Sequence, residues 1–259
     1  MQVQLTILGS GSAGNCALIE STQMCVLVDA GLSGKQISDR LAKIGRQLSD
    51  LDAILLTHEH NDHTQGLNVL CNRHHIPLYC NRPTAEEIAK TLPKFSAWHF
   101  FITGHPFELG DLMVESFSIP HDAQDPVGFL IRANGSAICF ATDLGHATRL
   151  VIERARAANI VVLETNHDLR MLQEAKRPWS LKQRIMSRHG HLSNDDGATA
   201  AAEIATDKLR ALYLAHLSRD CNRPSIALEA VTGQLERAGA KHITVQVAQQ
   251  DEIMPTLTL

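Results

Sequence analysis

The chain has no CxxC cysteine pairs, no apolar run near membrane-spanning length, no repeat of fixed period, no low-complexity tract and no long linker. Each absence removes a class of protein. The six cysteines, Cys16, Cys25, Cys71, Cys80, Cys139 and Cys221, stand singly, most of them in strand-like apolar surroundings. A free thiol packs there as a small hydrophobe, which predicts a reducing compartment. Val3 to Leu8 reads as a strand, without the basic region and apolar core of a secretion signal, so a cytoplasmic protein away from the membrane is expected. Positive charge is also short, with 24 Lys and Arg against 28 Asp and Glu for a net −4. That balance argues against a uniformly basic nucleic-acid coat, although a local patch remains open. With 259 residues, 44% of them hydrophobic, the chain can bury a large core, and one domain over residues 1–259 is the simplest expectation. Oligomeric state is not written in these features.

What is present is a mixed α and β pattern. Apolar runs rich in β-branched residues cover Val3 to Leu8, Cys25 to Val28, Ala53 to Leu56, Leu112 to Ile119, Val127 to Ile131, Ala137 to Phe140, Ile160 to Leu163, Ala211 to Ala215 and His242 to Val247. Helical patterns cover Lys35 to Ile44, Thr84 to Leu92, Ala147 to Ala157, Asp195 to Leu209 and Ser225 to Ala238.

Chemistry collects at the strand ends. The run Thr57-His58-Glu59-His60-Asn61-Asp62-His63 follows the apolar Ala53 to Leu56. His58 and His60 can grip one metal while Asp62 and His63, past a sharp turn, grip a second, and a divalent cation relieves the crowding of imidazole and carboxylate lone pairs. Asp29, His121, Asp143 and His216 each follow a strand as well. An Asp before Gly is commonly a turn and a lone His is commonly structural. Together with the His58–His63 segment, however, His121, Asp143 and His216 supply two further imidazoles and a carboxylate able to bridge two ions.

In order and spacing, Asp29, the His58–His63 segment, His121, Asp143 and His216 resemble the five motifs of the metallo-β-lactamase superfamily. The resemblance implies a four-layer αββα sandwich with a dinuclear site at one edge of two packed sheets. It further implies that His58, His60 and His121 hold one metal, that Asp62, His63 and His216 hold the other, that Asp143 bridges, and that Asp29 orients the ligand loop. Leu8-Gly9-Ser10-Gly11-Ser12-Ala13-Gly14-Asn15-Cys16, His121-Asp122-Ala123, Asp125-Pro126-Val127-Gly128, Glu164-Thr165-Asn166-His167-Asp168, Gly190-His191-Leu192-Ser193-Asn194 and Leu214-Ala215-His216-Leu217-Ser218 resemble the YycJ/WalJ family. That family is related to the tRNase Z branch, and the likeness implies 5′-to-3′ exonuclease action on duplex DNA. Glu164 with His191 resembles the tRNase Z pair of a Glu and a loop His, which orients the imidazole and raises its pKa.

Physical reading of these segments points the same way. Ser193 is placed to cap a helix starting at Asn194, so backbone N–H groups there, with Ser193 and Asn194, are candidates to meet phosphate beside His191. Between Leu169 and His191 six cations, Arg170, Lys176, Arg177, Lys182, Arg184 and Arg188, face the single acid Glu174. Such a run is either a solvated face or a basic lip in which Arg177, Lys182 and Arg184 hold a phosphodiester backbone. Trp179, inside it, either stacks on a base or packs the lip onto the core.

The expected reaction is hydrolysis of a phosphodiester by a hydroxide shared between two divalent ions, with Asp62 orienting it and His191, held by Glu164, assisting the leaving group. Zinc, manganese and iron all suit these ligands. Flavodiiron relatives need a carboxylate where this chain has His60, which speaks against an oxygen-reducing site. DNA is favoured over structured RNA, because the chain has room for neither a β-CASP insertion nor a long Gly- and Pro-rich arm. A hydrolase of a small ester, thioester or lactam is the alternative, and a metal-stabilised DNA-binding partner with little turnover is a further one.

Overall fold

A computed structural model describes residues 3–259. The strands are β1 (Gln4–Gly9), β2 (Cys16–Glu20), β3 (Cys25–Val28), β4 (Ala53–Leu55), β5 (Leu78–Cys80), β6 (Trp98–Phe100), β7 (Pro106–Leu109), β8 (Leu112–Ser118), β9 (Val127–Ala133), β10 (Ser136–Ala141), β11 (Ile160–Glu164), β12 (Ala211–Ala215), β13 (Thr244–Val247) and β14 (Leu257–Thr258). The helices are α1 (Gly34–Lys43), α2 (Asn61–Thr64), α3 (Leu67–His74), α4 (Arg82–Ala89), α5 (Arg149–Arg156), α6 (Leu169–Glu174), α7 (Trp179–Ile185), α8 (Asn194–Ile204) and α9 (Pro224–Arg237).

The strands form two seven-stranded sheets, ordered β14-β1-β2-β3-β4-β5-β6 and β13-β12-β11-β10-β9-β8-β7. Each sheet is antiparallel over one half and parallel over the other, with β3 to β6 and β10 to β13 running parallel. Parallel strands need crossover connections, and here those are helices that cover the outer faces. Fully buried runs such as Ile160-Val161-Val162-Leu163-Glu164 in β11 follow from that double coverage.

Three apolar layers result. Leu5, Ile19, Val26, Phe129, Ile131, Val162 and Tyr213 fill the space between the sheets. Ile37 and Leu41 of α1, Leu67 and Leu70 of α3 and Ile88 of α4 cover the first sheet. Val151 of α5, Ala201 of α8 and Val231 of α9 cover the second. The architecture is the αββα sandwich expected from the sequence. Helix starts follow local chemistry: Ser33 makes a reciprocal capping box with Gln36, Asn81 caps α4, Thr148 caps α5, Asp168 caps α6 and Ser193 caps α8. Among the described residues no helix is long and apolar enough to cross a membrane.

The nine apolar runs all become strands, with ends moved by at most two residues. The helical pattern at Asp195 to Leu209 stops earlier, at Ile204, where Ala205 leaves helical geometry and Thr206 to Leu209 turn toward β12. The parallel arrangement places the C-terminal ends of β3, β4, β10, β11 and β12 along one edge, as open α/β sheets place their sites.

Candidate metal centre

Three of the side chains at this edge sit on left-handed backbone: Asp29 (φ 60°), Asp143 (φ 58°) and His216 (φ 57°). Asp and His tolerate that region better than most residues, and the turn throws each side chain off the pleat at the end of its strand. Close approach of the loops needs glycine as well. A Cβ on Gly31 would meet the Asp62 carbonyl oxygen at 1.6 Å, so only glycine lets the Asp29 turn lie against the His58–His63 loop.

The imidazoles are oriented by what holds their inner nitrogens. His63 Nδ1 lies 2.7 Å from Asp29 Oδ2, His121 Nδ1 lies 3.1 Å from the Gly190 carbonyl oxygen, and His216 Nδ1 lies 2.8 Å from Glu164 Oε1. Thr57 Oγ1 donates to the Asp29 carboxylate and so accepts from His58 Nδ1, 3.0 Å away. An acceptor at Nδ1 fixes the proton there, leaving each Nε2 lone pair aimed at the centre. His60 differs, because its Nδ1 is the atom that faces His121 Nε2, at 3.2 Å.

The inward atoms form overlapping groups whose donors all lie within 4.8 Å: His58, His60 and His121; Asp62, His63 and His216; His58, His63 and Asp143; and Asp143, Glu164, His191 and His216. Ligands about 2.0–2.1 Å from a shared tetrahedral ion stand about 3.3–3.4 Å apart. The separations here match: 3.2 Å for His60 to His121, 3.2 Å for His216 Nε2 to Asp62 Oδ2 and 3.3 Å for His63 Nε2 to Asp143 Oδ2. Of the inward atoms, His58 Nε2 and Asp143 Oδ2 are buried without a hydrogen bond of good geometry. Orphaned buried polar atoms are costly, and a cation between them removes the cost. The residues therefore fit divalent metal.

Charge follows geometry. For His58, burial and the neighbouring His63 push the pKa well below the ordinary histidine value. For His63 and His216, burial acts in that direction too, but the facing carboxylates, Asp29 and Asp143 foremost, outweigh it and hold both well above that value. Burial opposes ionisation of Asp143, and His216 and His63 overcome it, leaving the carboxyl well below its usual range.

Glu164 is fully buried at the last position of β11. Its Oε1 accepts from both His191 Nδ1 and His216 Nδ1, each at 2.8 Å, while Oε2 accepts from the backbone N–H groups of Leu144 (2.8 Å) and Leu192 (3.2 Å). One carboxylate thus ties His191 to the metal-facing His216. Burial disfavours a charged His191, and Glu164 outweighs it and raises the pKa above the ordinary value. With Nδ1 held, His191 Nε2 has no hydrogen-bond partner among the described residues, and the side chain keeps 21% exposure.

The seven expected ligands, Asp29, Glu164 and His191 all meet here. Other expected residues are used inside the fold. Ser193 Oγ accepts from Asp196 N at 3.1 Å and donates to Asp196 Oδ2 at 2.7 Å, and Asn194 makes a reciprocal amide pair with Asn222. With Asp195 and Asp196 in its first turn, α8 already carries negative charge at its N-terminus, so these side chains are not free for phosphate. In the basic run, Arg177 pairs with Asp220 at 2.7 Å, Arg184 pairs with Asp122 at 2.5 Å, and buried Lys182 donates to the Gln173 carbonyl at 2.6 Å. Their first role is to fasten α6 and α7 to the body.

Several supporting residues were not singled out from the sequence. Thr57 joins Asp29, His58 and His63; Asn15 donates its backbone N–H to the Asp62 carbonyl at 2.8 Å; and Asn166 Nδ2 donates to the His216 carbonyl at 2.8 Å. Their signal was membership of the motifs themselves.

A family profile described as the beta-lactamase superfamily domain matches residues 25–217. Exodeoxyribonuclease YycJ of Bacillus anthracis is 36% identical over 260 residues, covering 99% of this chain and 98% of that protein. Exodeoxyribonuclease WalJ of Streptococcus pneumoniae is 40% identical over 237 residues, covering 90% and 88%. Among solved structures, the metallo-β-lactamase fold protein YhfI from Bacillus subtilis superposes with a TM-score of 0.75 at 17% identity, covering 98% of each chain. Likeness over nearly the full length of both nucleases, on the fold and ligand arrangement described above, makes this chain a metal-dependent hydrolase that belongs to the metallo-β-lactamase superfamily and to its YycJ/WalJ family.

Proposed function

We propose that the protein is a dinuclear phosphodiesterase that removes nucleotides from DNA ends. The observation that carries this reading is the pair of donor groups on either side of Asp143, beside His191, whose Nδ1 is held by Glu164 and whose Nε2 is left without a partner among the described residues. His58, His60 and His121 would hold one ion, Asp62, His63 and His216 the other, and Asp143 would contact both. When bound, two divalent ions supply Lewis acidity for phosphate oxygens and bring the pKa of a shared water from 15.7 to about 7.

The chain's own residues do the rest. Asp29, Thr57, Gly190 and Glu164 keep four imidazoles in the ligating tautomer. Asp62, whose side chain is 24% exposed, would orient the attacking water as well as ligate. His191, whose pKa is raised by its contact with Glu164, is the group that would donate its Nε2 proton to the departing sugar oxygen. A thioester releases a thiolate, which has no comparable need for a held acid, and this favours the phosphodiester over that alternative.

DNA as substrate is supported by the two exodeoxyribonuclease relatives, and 5′-to-3′ polarity rests on the same family likeness. Six unpaired cysteines fit work in the cytoplasm. The test is digestion of 5′-labelled and 3′-labelled single-stranded and duplex oligonucleotides with zinc, manganese or iron supplied in turn. Release of 5′ mononucleotides from DNA is the expected result. Turnover of a lactam or glutathione thioester, with none of any nucleic acid, would overturn the reading.

A further inference from the structure

Strand β11 ends at Glu164, and the chain runs on as a seam between the loop that carries His191 and the loop that carries His216. Thr165 N–H bonds the Ala215 carbonyl at 3.1 Å, Asn194 N–H bonds the His167 carbonyl at 2.8 Å and Asp168 N–H bonds the Cys221 carbonyl at 2.8 Å. Asn166 joins both sides at once. Its N–H donates to the Leu192 carbonyl, beside His191, and its carbonyl accepts from Ser218 N–H, two residues after His216, each at 2.8 Å. Its side chain makes a third contact: Asn166 is 4% exposed, and Nδ2 donates to the His216 carbonyl at 2.8 Å. Buried this far, the amide is out of a substrate's reach, and no step proposed above uses it.

The contact falls where the backbone needs it. His216 sits at φ 57°, a region that L residues disfavour and that persists only where the surroundings over-determine it. Side chains supply that determination here. Ser10 Oγ accepts from His216 N–H at 2.9 Å, Asn166 donates to the carbonyl, and Glu164 holds Nδ1. The corner sets where His216 Nε2 points, 3.2 Å from Asp62 Oδ2, in the group formed by Asp62, His63 and His216. In the other group, His58 and His121 are oriented by Thr57 and the Gly190 carbonyl, and among the described residues Asn166 bonds no member of it. Truncating the Asn166 side chain leaves its backbone bonds to Leu192 and Ser218 in place, so the loss is confined to the carbonyl at the corner.

We propose that Asn166 is a positioning residue for one of the two ions: it keeps the left-handed corner of His216 and so sets the affinity of the Asp62, His63 and His216 site without acting on the other. This rests on the dinuclear reading above. The test is calorimetric titration of zinc into metal-free protein. Asn166→Ala is made in a His60→Ala protein, which keeps the Asp62, His63 and His216 group whole, and in an Asp62→Ala protein, which keeps the other. In the first background the Kd for zinc should rise about tenfold, the lower end of the range for changes behind a metal-bound histidine, and in the second it should stay unchanged. Asn166→Ser, whose side chain falls short of the carbonyl, carries the same expectation should Asn166→Ala not fold. Asn222→Ala removes buried bonds to Thr165 and Asn194 but none to His216, and as the control it should lower the unfolding midpoint without that selective loss. Equal weakening in both backgrounds, or the same selective loss in Asn222→Ala, would make Asn166 a general support of the fold and overturn the inference. Two ions in wild type with unaltered affinity in Asn166→Ala would overturn it alone, whereas a single ion in wild type would overturn the dinuclear reading and this inference with it.

Discussion

Replacing Glu164 by glutamine tests the centre at its most constrained point. The carboxylate accepts four hydrogen bonds, two from imidazoles on Oε1 and two from backbone N–H groups on Oε2, in a site with no exposure. A carboxamide has one accepting end. If that end faces the imidazoles, the N–H groups of Leu144 and Leu192 meet an NH2, and two orphaned buried donors at about 1–3 kcal/mol each cost about 2–6 kcal/mol. If it faces the backbone instead, His216 accepts only by moving its proton to Nε2, the atom that must bind metal. Metal affinity should then fall about 10–100-fold, as for other changes behind a metal-bound histidine. His191 responds in either case. Its charge is present below its raised pKa and is lost as pH rises through it, so removing the Glu164 charge should move the basic limb of turnover to lower pH. Denaturant unfolding of metal-free protein, metal titration and a pH–rate profile read the three effects. A Glu164→Gln protein with wild-type midpoint, metal content and profile would refute the shared-carboxylate argument.

Loss of the held acid should be read through the leaving group: His191→Ala is expected to cut DNA turnover about 10²–10⁴-fold with metal retained, and to affect a nitrophenyl phosphodiester far less, so equal loss on both would count against proton donation. Wild-type protein should bind close to two divalent ions, and Asp143→Ala should lose metal and activity together while circular dichroism stays near wild type, because the large sandwich core does not depend on metal. Since His63 and His216 lie well above the ordinary pKa in the metal-free chain, each must release a proton to ligate. Affinity should therefore rise with pH through neutrality and level off only above those raised values, with proton release in calorimetry; a flat affinity between about pH 6 and 9 would contradict the assignment.

The ligands were legible because each announces itself by residue type at a strand end. His58 to His63, His121, Asp143 and His216 needed only the strand boundaries, and those came from apolar runs of four or more residues. Short strands escaped: β5, β6 and β7 have three or four residues, too few to show alternation against their surroundings. Thr57, Asn15 and Asn166 escaped for another reason, since Thr and Asn are ordinary loop residues and their importance lies in which carbonyl or imidazole they reach. The basic run across α6 and α7 shows the limit of counting charge. Its partners Asp220 and Asp122 lie 43 and 62 residues away from Arg177 and Arg184, so the sequence displays the cations without the acids that neutralise them. Ser193 illustrates the converse, a cap placed correctly whose hydroxyl, once capping, has nothing left to offer a ligand.

The left-handed turns at Asp29, Asp143 and His216 invert the usual ranking of gentle and harsh substitutions. Ordinarily a carboxylate is exchanged for a carboxylate to preserve function. Here glutamate keeps the charge of Asp143 but brings a longer side chain that disfavours positive φ, whereas asparagine gives up the charge and keeps the turn. At these corners the backbone restricts the residue type alongside the chemistry, so a longer carboxylate strains the turn where asparagine gives up only the charge.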